Sequence, residues 1–328
     1  MNHTKLLNSI LNTLFILQIS IINESDNLMK LLVTGASGNI GTVLGNKLKE
    51  QNIPFIGIDA SKQNYDNENF LQLDITDKKE IFKKKIILNE VDTLIHLASK
   101  IDTGSDVINK GIQSVDVNLK GTLNLLENLP KLKNILFTSS YMVYGIPKQN
   151  PITEDHLEDP HTIYGASKII TEKYLQVFAE KRGINLTIFR YMGIYGLLSH
   201  YASQAIHIFT KLIEDGKNPI IYGDGLQRRN HLFIDDAIDA ILIWINNKTP
   251  GIFNIGGIDS PTNLDLISMI SKKMNTKVNP IFKESQQHDF ICDISLANSK
   301  LHFKPNIRID EGLKKTIEGF IQRRGRSF

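Results

Sequence analysis

Tyr164 and Lys168 stand four residues apart in the run Tyr164-Gly-Ala-Ser-Lys168. If Tyr164 opens a helix that runs to about Lys181, that spacing puts the phenol and the ammonium on one face. A phenol able to give up its proton there would serve as a base toward a substrate hydroxyl. Tyrosine ordinarily ionises at about 10, so working near neutrality needs a shift of roughly 3 units, or about 4 kcal/mol. One cation ~5 Å away, at an effective dielectric of ~20, supplies about 3 kcal/mol. Lys168 covers most of the need, and the positive ring of a bound redox cofactor would supply the rest. Two further elements lift the pair above chance. Thr138-Ser139-Ser140 closes an apolar run, which is where a strand's carboxyl end would offer a hydroxyl to substrate. Asn118, in Val117-Asn118-Leu119-Lys120-Gly121-Thr122, falls on the preceding helix. The candidate catalytic set is thus Ser140, Tyr164, Lys168 and Asn118. No Cys/His spacing of metal-binding type occurs, so a metal is not expected.

A base of this kind needs an acceptor for the electrons of the C–H bond, and a second motif provides for one. Thr34-Gly-Ala-Ser-Gly-Asn-Ile-Gly41 lies between a short buried strand, Lys30 to Thr34, and a helix-patterned stretch with apolar Ile40, Val43, Leu44 and Leu48. Gly35 allows the tight turn, Gly38 lets backbone approach a pyrophosphate, and Gly41 lets the helix pack close to the sheet. With Ser37, Asn39 and Ile40, they leave a helix N-terminus whose free N–H groups suit phosphate. Asp59 ends the second strand about twenty residues on, where a carboxylate accepts hydrogen bonds from an adenosine ribose. The expected cofactor is NAD. Asp59 would repel the extra phosphate of NADP, and Ala60-Ser-Lys-Gln63 contains no arginine, although Lys62 is a counter-signal.

These groups must be positioned by a scaffold, and the rest of the pattern describes it. Apolar strands are expected at Lys30–Thr34, Pro54–Asp59, Thr93–Leu97, Asn134–Thr138 and Asn185–Arg190, separated by helix-like stretches. Apolar strands alternating with helices imply α/β architecture: a doubly wound, parallel (Rossmann) sheet covered on both faces. Past Tyr191 the order becomes mixed, pointing to a smaller mixed α/β substrate lobe. The expected organisation is a dinucleotide domain over residues 29–192 and a substrate-binding lobe over 193–328, with 252–257 a candidate to return to the sheet.

With these residues in place, the chain resembles the extended short-chain dehydrogenase/reductase family, the group of nucleotide-sugar epimerases, dehydratases and reductases. The matches include the glycine turn, Asp74-Ile75, His96-Leu-Ala98, Ser139-Ser140 with Val143-Tyr144-Gly145, and Tyr164-x-x-x-Lys168. They continue through Arg190-Tyr191, Tyr195-Gly196, Gly223-Asp-Gly-x-Gln-x-Arg229 and Phe253-Asn-Ile-Gly-Gly257. The resemblance implies that Tyr164 is the base and that Lys168 lowers its pKa and binds the nicotinamide ribose. Ser140 would bond the sugar oxygen. Asp74 and Ile75 would flank the adenine, Leu97 and Ala98 the ribose-phosphate, and Tyr191 joins the residues around the cofactor. Arg229 would grip a substrate phosphate bidentately. His96 is read as a packing residue, and a homodimer through helices of the dinucleotide domain is implied.

Departures from the family pattern narrow the chemistry. Dehydratases of the family carry an Asp-Glu pair just after the catalytic hydroxyl, and decarboxylases a glutamate at the Met142 position. Here the stretch reads Ser140-Tyr141-Met142. What is left is reversible oxidation at one carbon. The leading expectation is an NAD-dependent nucleotide-sugar epimerase acting at one carbinol, C4 first. The alternatives are an NAD(P)-dependent reductase or dehydrogenase of a keto-sugar or another alcohol, and a non-catalytic NAD-binding sensor. Gly193 stands where family members place a phosphate-contacting asparagine. Asn230-His231 replaces the usual Asp-Phe, and Ser285–Asp289 lacks the expected arginine, so the diphosphate grip looks thin.

Composition excludes other classes. Thirty-eight basic against thirty-five acidic residues leave a formal charge of +3, no footprint for nucleic acid; Lys83-Lys84-Lys85 and Arg323-Arg324 read as solvated surface. A single cysteine, Cys292, cannot form an intrachain disulfide, and a reducing cytoplasmic setting is expected. Residues 1–28 read as a dispensable extension. Leu6 to Ile22 is too short and too polar for a membrane span, although Leu7, Ile10, Leu11, Leu14 and Leu17 recur at helical spacing. Any membrane contact would come through residues 5–22.

Overall fold

Leu31 and Val33 turn to one side of the first strand and Leu32 to the other, and all three are buried. A strand apolar on both faces must be covered on both. The computed structural model, which describes residues 30–65, 67–101, 107–197 and 205–325, shows this arrangement throughout its central sheet. The expectations for residues 1–28 lie outside the described residues.

The strands are β1 (Leu31–Thr34), β2 (Phe55–Asp59), β3 (Phe70–Gln72), β4 (Thr93–His96), β5 (Asn134–Ser140), β6 (Asn185–Tyr191), β7 (Gly193–Tyr195), β8 (Ile220–Tyr222), β9 (His231–Phe233), β10 (Gly251–Ile255) and β11 (Ile281–Lys283). Seven of them form one parallel sheet in the order β3-β2-β1-β4-β5-β6-β10. The chain winds outward from β1 in one direction, then returns to β4 and winds the other way. The crevice outside the carboxyl ends of β1 and β4 is therefore the switch point, where open α/β sheets bind ligands. Residues 251–255 rejoin the sheet beside β6 after the chain has passed through β7, β8 and β9.

The longer helices are α1 (Asn39–Glu50), α2 (Val107–Val115), α3 (Ile163–Arg182), α4 (Ala205–Glu214), α5 (Ile234–Asn247), α6 (Asn263–Lys273) and α7 (Ile309–Gly325). One core layer packs Leu44 and Leu48 of α1 and Ile238, Ile241 and Trp244 of α5 on the sheet. The opposite layer packs Leu125, Leu126, and Leu175 and Ala179 of α3 on Leu94, Ile135 and Ile188. A third apolar cluster lies around Tyr195, Phe209, Phe233, Leu266 and Leu313. Two parallel strand pairs stand apart from the main sheet, β7 with β9 and β8 with β11. Among the described residues, no helix is long and apolar enough to cross a membrane.

Candidate active site

Helix α3 starts where the chemistry needs it. Thr162 caps it, accepting a bond from the Gly165 N–H at 3.0 Å, and Gly183 ends it in the left-handed conformation. A Cβ at Gly165 would lie 2.4 Å from the Met142 carbonyl. The first turn of α3 therefore sits directly on the short helical turn Tyr141–Val143 that follows Ser140. Tyr164, Ser140 and Tyr141 are all buried. Ser140 Oγ accepts from the Met142 N–H at 3.3 Å, which orients it at the end of β5.

Lys168 is 1% exposed. Its Nζ donates to the Thr138 carbonyl at 2.8 Å and lies 4.6 Å from the Phe137 ring centre and 5.7 Å from that of Tyr164. Burial pushes its pKa down to about 7, opposed by the Glu172 carboxylate one turn along the helix. Burial likewise pushes the Tyr164 phenol well above its usual range, a hydrogen bond with Ser99 only partly offsetting it. Among the chain's own residues, burial therefore favours the protonated phenol.

Asn118 is 2% exposed and serves as a junction. Its Oδ1 accepts from the Lys100 N–H at 2.7 Å and from Ser99 Oγ at 3.1 Å. Its Nδ2 donates to the Lys100 carbonyl at 3.0 Å and to Ser167 Oγ at 2.8 Å. The helix widens into a π turn over Asp116–Gly121, and the Asn118 carbonyl receives the hydroxyls of Thr122 and Thr171. The amide thus ties the loop after β4 to α3 between Tyr164 and Lys168.

At the switch point, Gly35 (φ +66°) and Gly41 have no room for side chains. Cβ atoms there would lie 2.7 Å from the Ala98 nitrogen and 2.1 Å from the Gly35 carbonyl. The N–H groups of Leu97 and Ala98 both donate to Thr34 Oγ1, at 3.1 and 3.0 Å. His96 lies between Thr34 Oγ1 and Thr122 Oγ1, 2.7 Å from each, and burial lowers its pKa to about 3. Thr122 already donates to the Asn118 carbonyl, so His96 carries its proton on Nε2 and accepts from Thr34 on Nδ1. This neutral, fully bonded ring matches its reading as a packing residue.

The sequence matches the profile of the NAD dependent epimerase/dehydratase family over residues 31–256. A putative UDP-glucose 4-epimerase of Methanocaldococcus jannaschii is 34% identical over 301 residues, covering 88% of this chain and 97% of that protein. The chain belongs to this family. The solved UDP-glucose 4-epimerase of Thermotoga maritima, with UDP-glucose, superposes with a TM-score of 0.82 at 29% identity, covering 90% of this chain and 99% of that one. The UDP-glucuronic acid 4-epimerase of Bacillus cereus, in complex with UDP-glucuronic acid and NAD, gives 0.81 at 28%, covering 90% and 100%. The family also reaches other chemistry. A UDP-N-acetyl-alpha-D-glucosaminuronate decarboxylase of Bacillus cytotoxicus is 27% identical, covering 89% of this chain and 97% of that protein.

The glycine turn fits the family's cofactor. No side chain caps α1 at Gly38, which leaves this helix end open to the turn. Ser37 Oγ is buried with no partner, an orphan hydroxyl beside that helix end. Asp59 accepts from the Ser37 N–H at 3.0 Å and the Ser61 N–H at 2.8 Å, leaving each oxygen a second lone pair. Asp59→Ala is expected to weaken NAD binding about 10- to 100-fold, the worth of charge-assisted bonds of ~1.5–3 kcal/mol. A titration of NAD fluorescence quenching checks it, and equal affinity in the variant would refute the assignment.

The other anticipated positions fall as follows. Asp74 folds its carboxylate back onto Thr76, accepting its N–H and hydroxyl at 2.8 Å each, while Ile75 is buried. Tyr191 is buried at the end of β6, its hydroxyl donating to the Ala237 carbonyl at 2.9 Å. Arg229 stacks on Phe290, 5.2 Å from the ring centre, and donates to Tyr141 Oη at 3.5 Å, which places it beside the Ser140 turn.

The sequence reading missed a buried ion network beneath the site. Arg190 and Glu172 are each 0% exposed and pair through Nη2 to Oε2 at 2.6 Å and Nε to both oxygens at 3.2 Å. Ser139 Oγ donates to Glu172, and Arg190 also reaches Glu158. The available signal was Glu172 at i+4 from Lys168, which puts it on the same helix face.

Proposed function

We propose that this chain is an NAD-dependent nucleotide-sugar 4-epimerase acting on a UDP-hexose or UDP-hexuronate. The observation that carries the reading is the turn after Ser140. It packs directly under the start of α3, yet presents Tyr141 and Met142 rather than the carboxylates that elimination or decarboxylation needs. The carboxylates nearby are committed, buried Glu172 to Arg190 and half-buried Glu154 Oε1 to the Asn254 N–H. One oxidisable carbinol and no acid for a second bond leave epimerisation as the fitting outcome.

Gly35, Ser37, Gly38, Asn39, Ile40, Gly41 and Asp59 would hold the pyrophosphate and adenosine ribose, with Asp74, Ile75, Leu97, Ala98 and Tyr191 around them. Bound NAD supplies the site for reversible hydride transfer and a positive ring that favours the Tyr164 phenolate. Tyr164 takes the proton of the sugar hydroxyl and later returns it. Ser140 hydrogen-bonds the same oxygen and fixes its distance from the phenol. Lys168 holds the nicotinamide ribose, and Asn118 keeps the loop after β4 against α3. Arg229 binds a phosphate of the nucleotide.

The test is incubation of NAD-loaded protein with UDP-glucose and, separately, UDP-glucuronate, followed by NMR of the sugar. The expected result is interconversion at C4 with no net NADH in solution. NADH accumulating in step with product would overturn the epimerase reading in favour of a dehydrogenase.

The same reading includes a homodimer. Ile112 of α2 and Ile170, Tyr174 and Val177 of α3 leave a broad apolar face exposed on two adjacent helices, of the kind that marks an interface. Light scattering should give twice the chain mass, and Val177→Glu should halve it.

A further inference from the structure

Ser99 is half-buried in the loop just past β4, at the carboxyl end of the sheet. It touches two of the groups assigned to the reaction. Its Oγ lies 3.1 Å from Asn118 Oδ1, and a hydrogen bond joins it to Tyr164. Ser140 stands apart from it, on another strand, at the end of β5.

A hydroxyl has one hydrogen to give, and the surroundings of Ser99 fix where it goes. Asn118 Nδ2 donates to the Lys100 carbonyl and to Ser167 Oγ, while Oδ1 accepts from the Lys100 N–H at 2.7 Å. The amide is thereby locked in one orientation, and toward Ser99 it can only accept. With Tyr164 protonated, the hydrogen bonds run one way. The phenol donates to Ser99 Oγ, and Ser99 donates to Asn118 Oδ1. A phenolate has no hydrogen to give, so Ser99 would lose that donor. Rotation of the serine hydroxyl then brings its hydrogen to the phenolate. Asn118 Oδ1 gives up the longer of these two bonds and keeps the Lys100 N–H. A neutral bond at 3.1 Å is exchanged for one to a charged oxygen, and bonds of that kind are roughly twice as strong.

We infer that Ser99 is a positioning residue for the base: its hydroxyl turns from Asn118 to Tyr164 Oη and donates to it when the phenol gives up its proton. This rests on the reading of Tyr164 as the base. It gives the chain a donor of its own for a charge that burial opposes. The other groups around the phenol act differently. Lys168, on the same helix, has its Nζ 5.7 Å from the Tyr164 ring centre and donates to the Thr138 carbonyl. Tyr141, on the turn after β5, works against ionisation, and Arg229 donates to Tyr141 at 3.5 Å.

The experiment follows the ultraviolet absorbance of the phenolate while NAD-loaded protein is titrated with base. Subtracting the matching Tyr164→Phe curve isolates Tyr164 from the other tyrosines. Ser99→Ala should raise the midpoint by about one pH unit, the net of losing a bond to a charged oxygen and a weaker neutral one. Ser99→Thr, which keeps the hydroxyl, should titrate near wild type, and NAD affinity should be equal in all three proteins. An unchanged midpoint in Ser99→Ala, or a midpoint raised equally in Ser99→Thr, would overturn the inference and leave Ser99 a structural link between its loop and Asn118. A Tyr164 that never ionises while the loaded wild type stays folded would instead overturn its reading as the base, and this inference with it.

Discussion

Tyr164→Phe is expected to lower turnover by roughly 10²- to 10⁴-fold, the contribution of a positioned acid–base group, in a protein that still folds and still binds NAD. Phenylalanine fills the same buried volume, and only the hydrogen bond with Ser99 is lost, worth about 1 kcal/mol. Wild-type rate should also rise with pH above neutrality, because burial holds the phenol above its usual range and the base form is the minority at pH 7. The variant should lack that rise. Lys168 adds a separate pH signature. Its pKa falls from 10.5 in the unfolded chain to about 7 in the folded one. Between these values the unfolded chain binds the extra proton, so stability should increase with pH across that window. Lys168→Met should remove this slope. Rates with a UDP-sugar, thermal melts from pH 7 to 10 and an NAD titration together check these outcomes. Tyr164→Phe with near wild-type turnover would remove Tyr164 from the chemistry.

Much of this site was legible because its parts are local. The turn from Gly35 to Gly41 and the Tyr164–Lys168 spacing each lie within one strand-turn-helix or one helix, where spacing dictates geometry. The parallel sheet was legible for the same reason: Leu31, Leu32 and Val33 have to be covered on both sides. Elements without such a signal were missed. The edge strand Phe70–Gln72 has three residues and only one is buried, too few for a pattern. The π turn at Asp116–Gly121 differs from an α-helix by a single shifted hydrogen bond, which composition does not encode. The burial that raises the Tyr164 phenol was not legible, because desolvation depends on what the fold lays over the pair.

Arg190 is the clearest case of a residue whose importance exists only in three dimensions, and its removal is expected to be the costliest for stability. Its guanidinium fills a site between Glu172, the Glu154 carbonyl (3.2 Å) and Glu158, with the Tyr144 ring 4.9 Å beneath it. Arg190→Leu strands the Glu172 carboxylate in the core with Ser139 as its remaining partner, and breaking a buried pair this way costs about 3–5 kcal/mol. Replacing both partners, Arg190→Leu with Glu172→Leu, removes the uncompensated charge and should recover most of the loss, since apolar replacement of a buried pair is often neutral. Urea melts of the three proteins decide the matter, and a double variant no better than the single would show that the charge is not the cause. If the double variant folds, its turnover carries a further answer. Glu172 lies one turn beyond Lys168 on α3, so the ion pair fixes how that helix sits on β5 and β6. Recovered stability with lowered turnover would mean that the pair holds Tyr164 and Lys168 in register with Ser140 as well as holding the fold together.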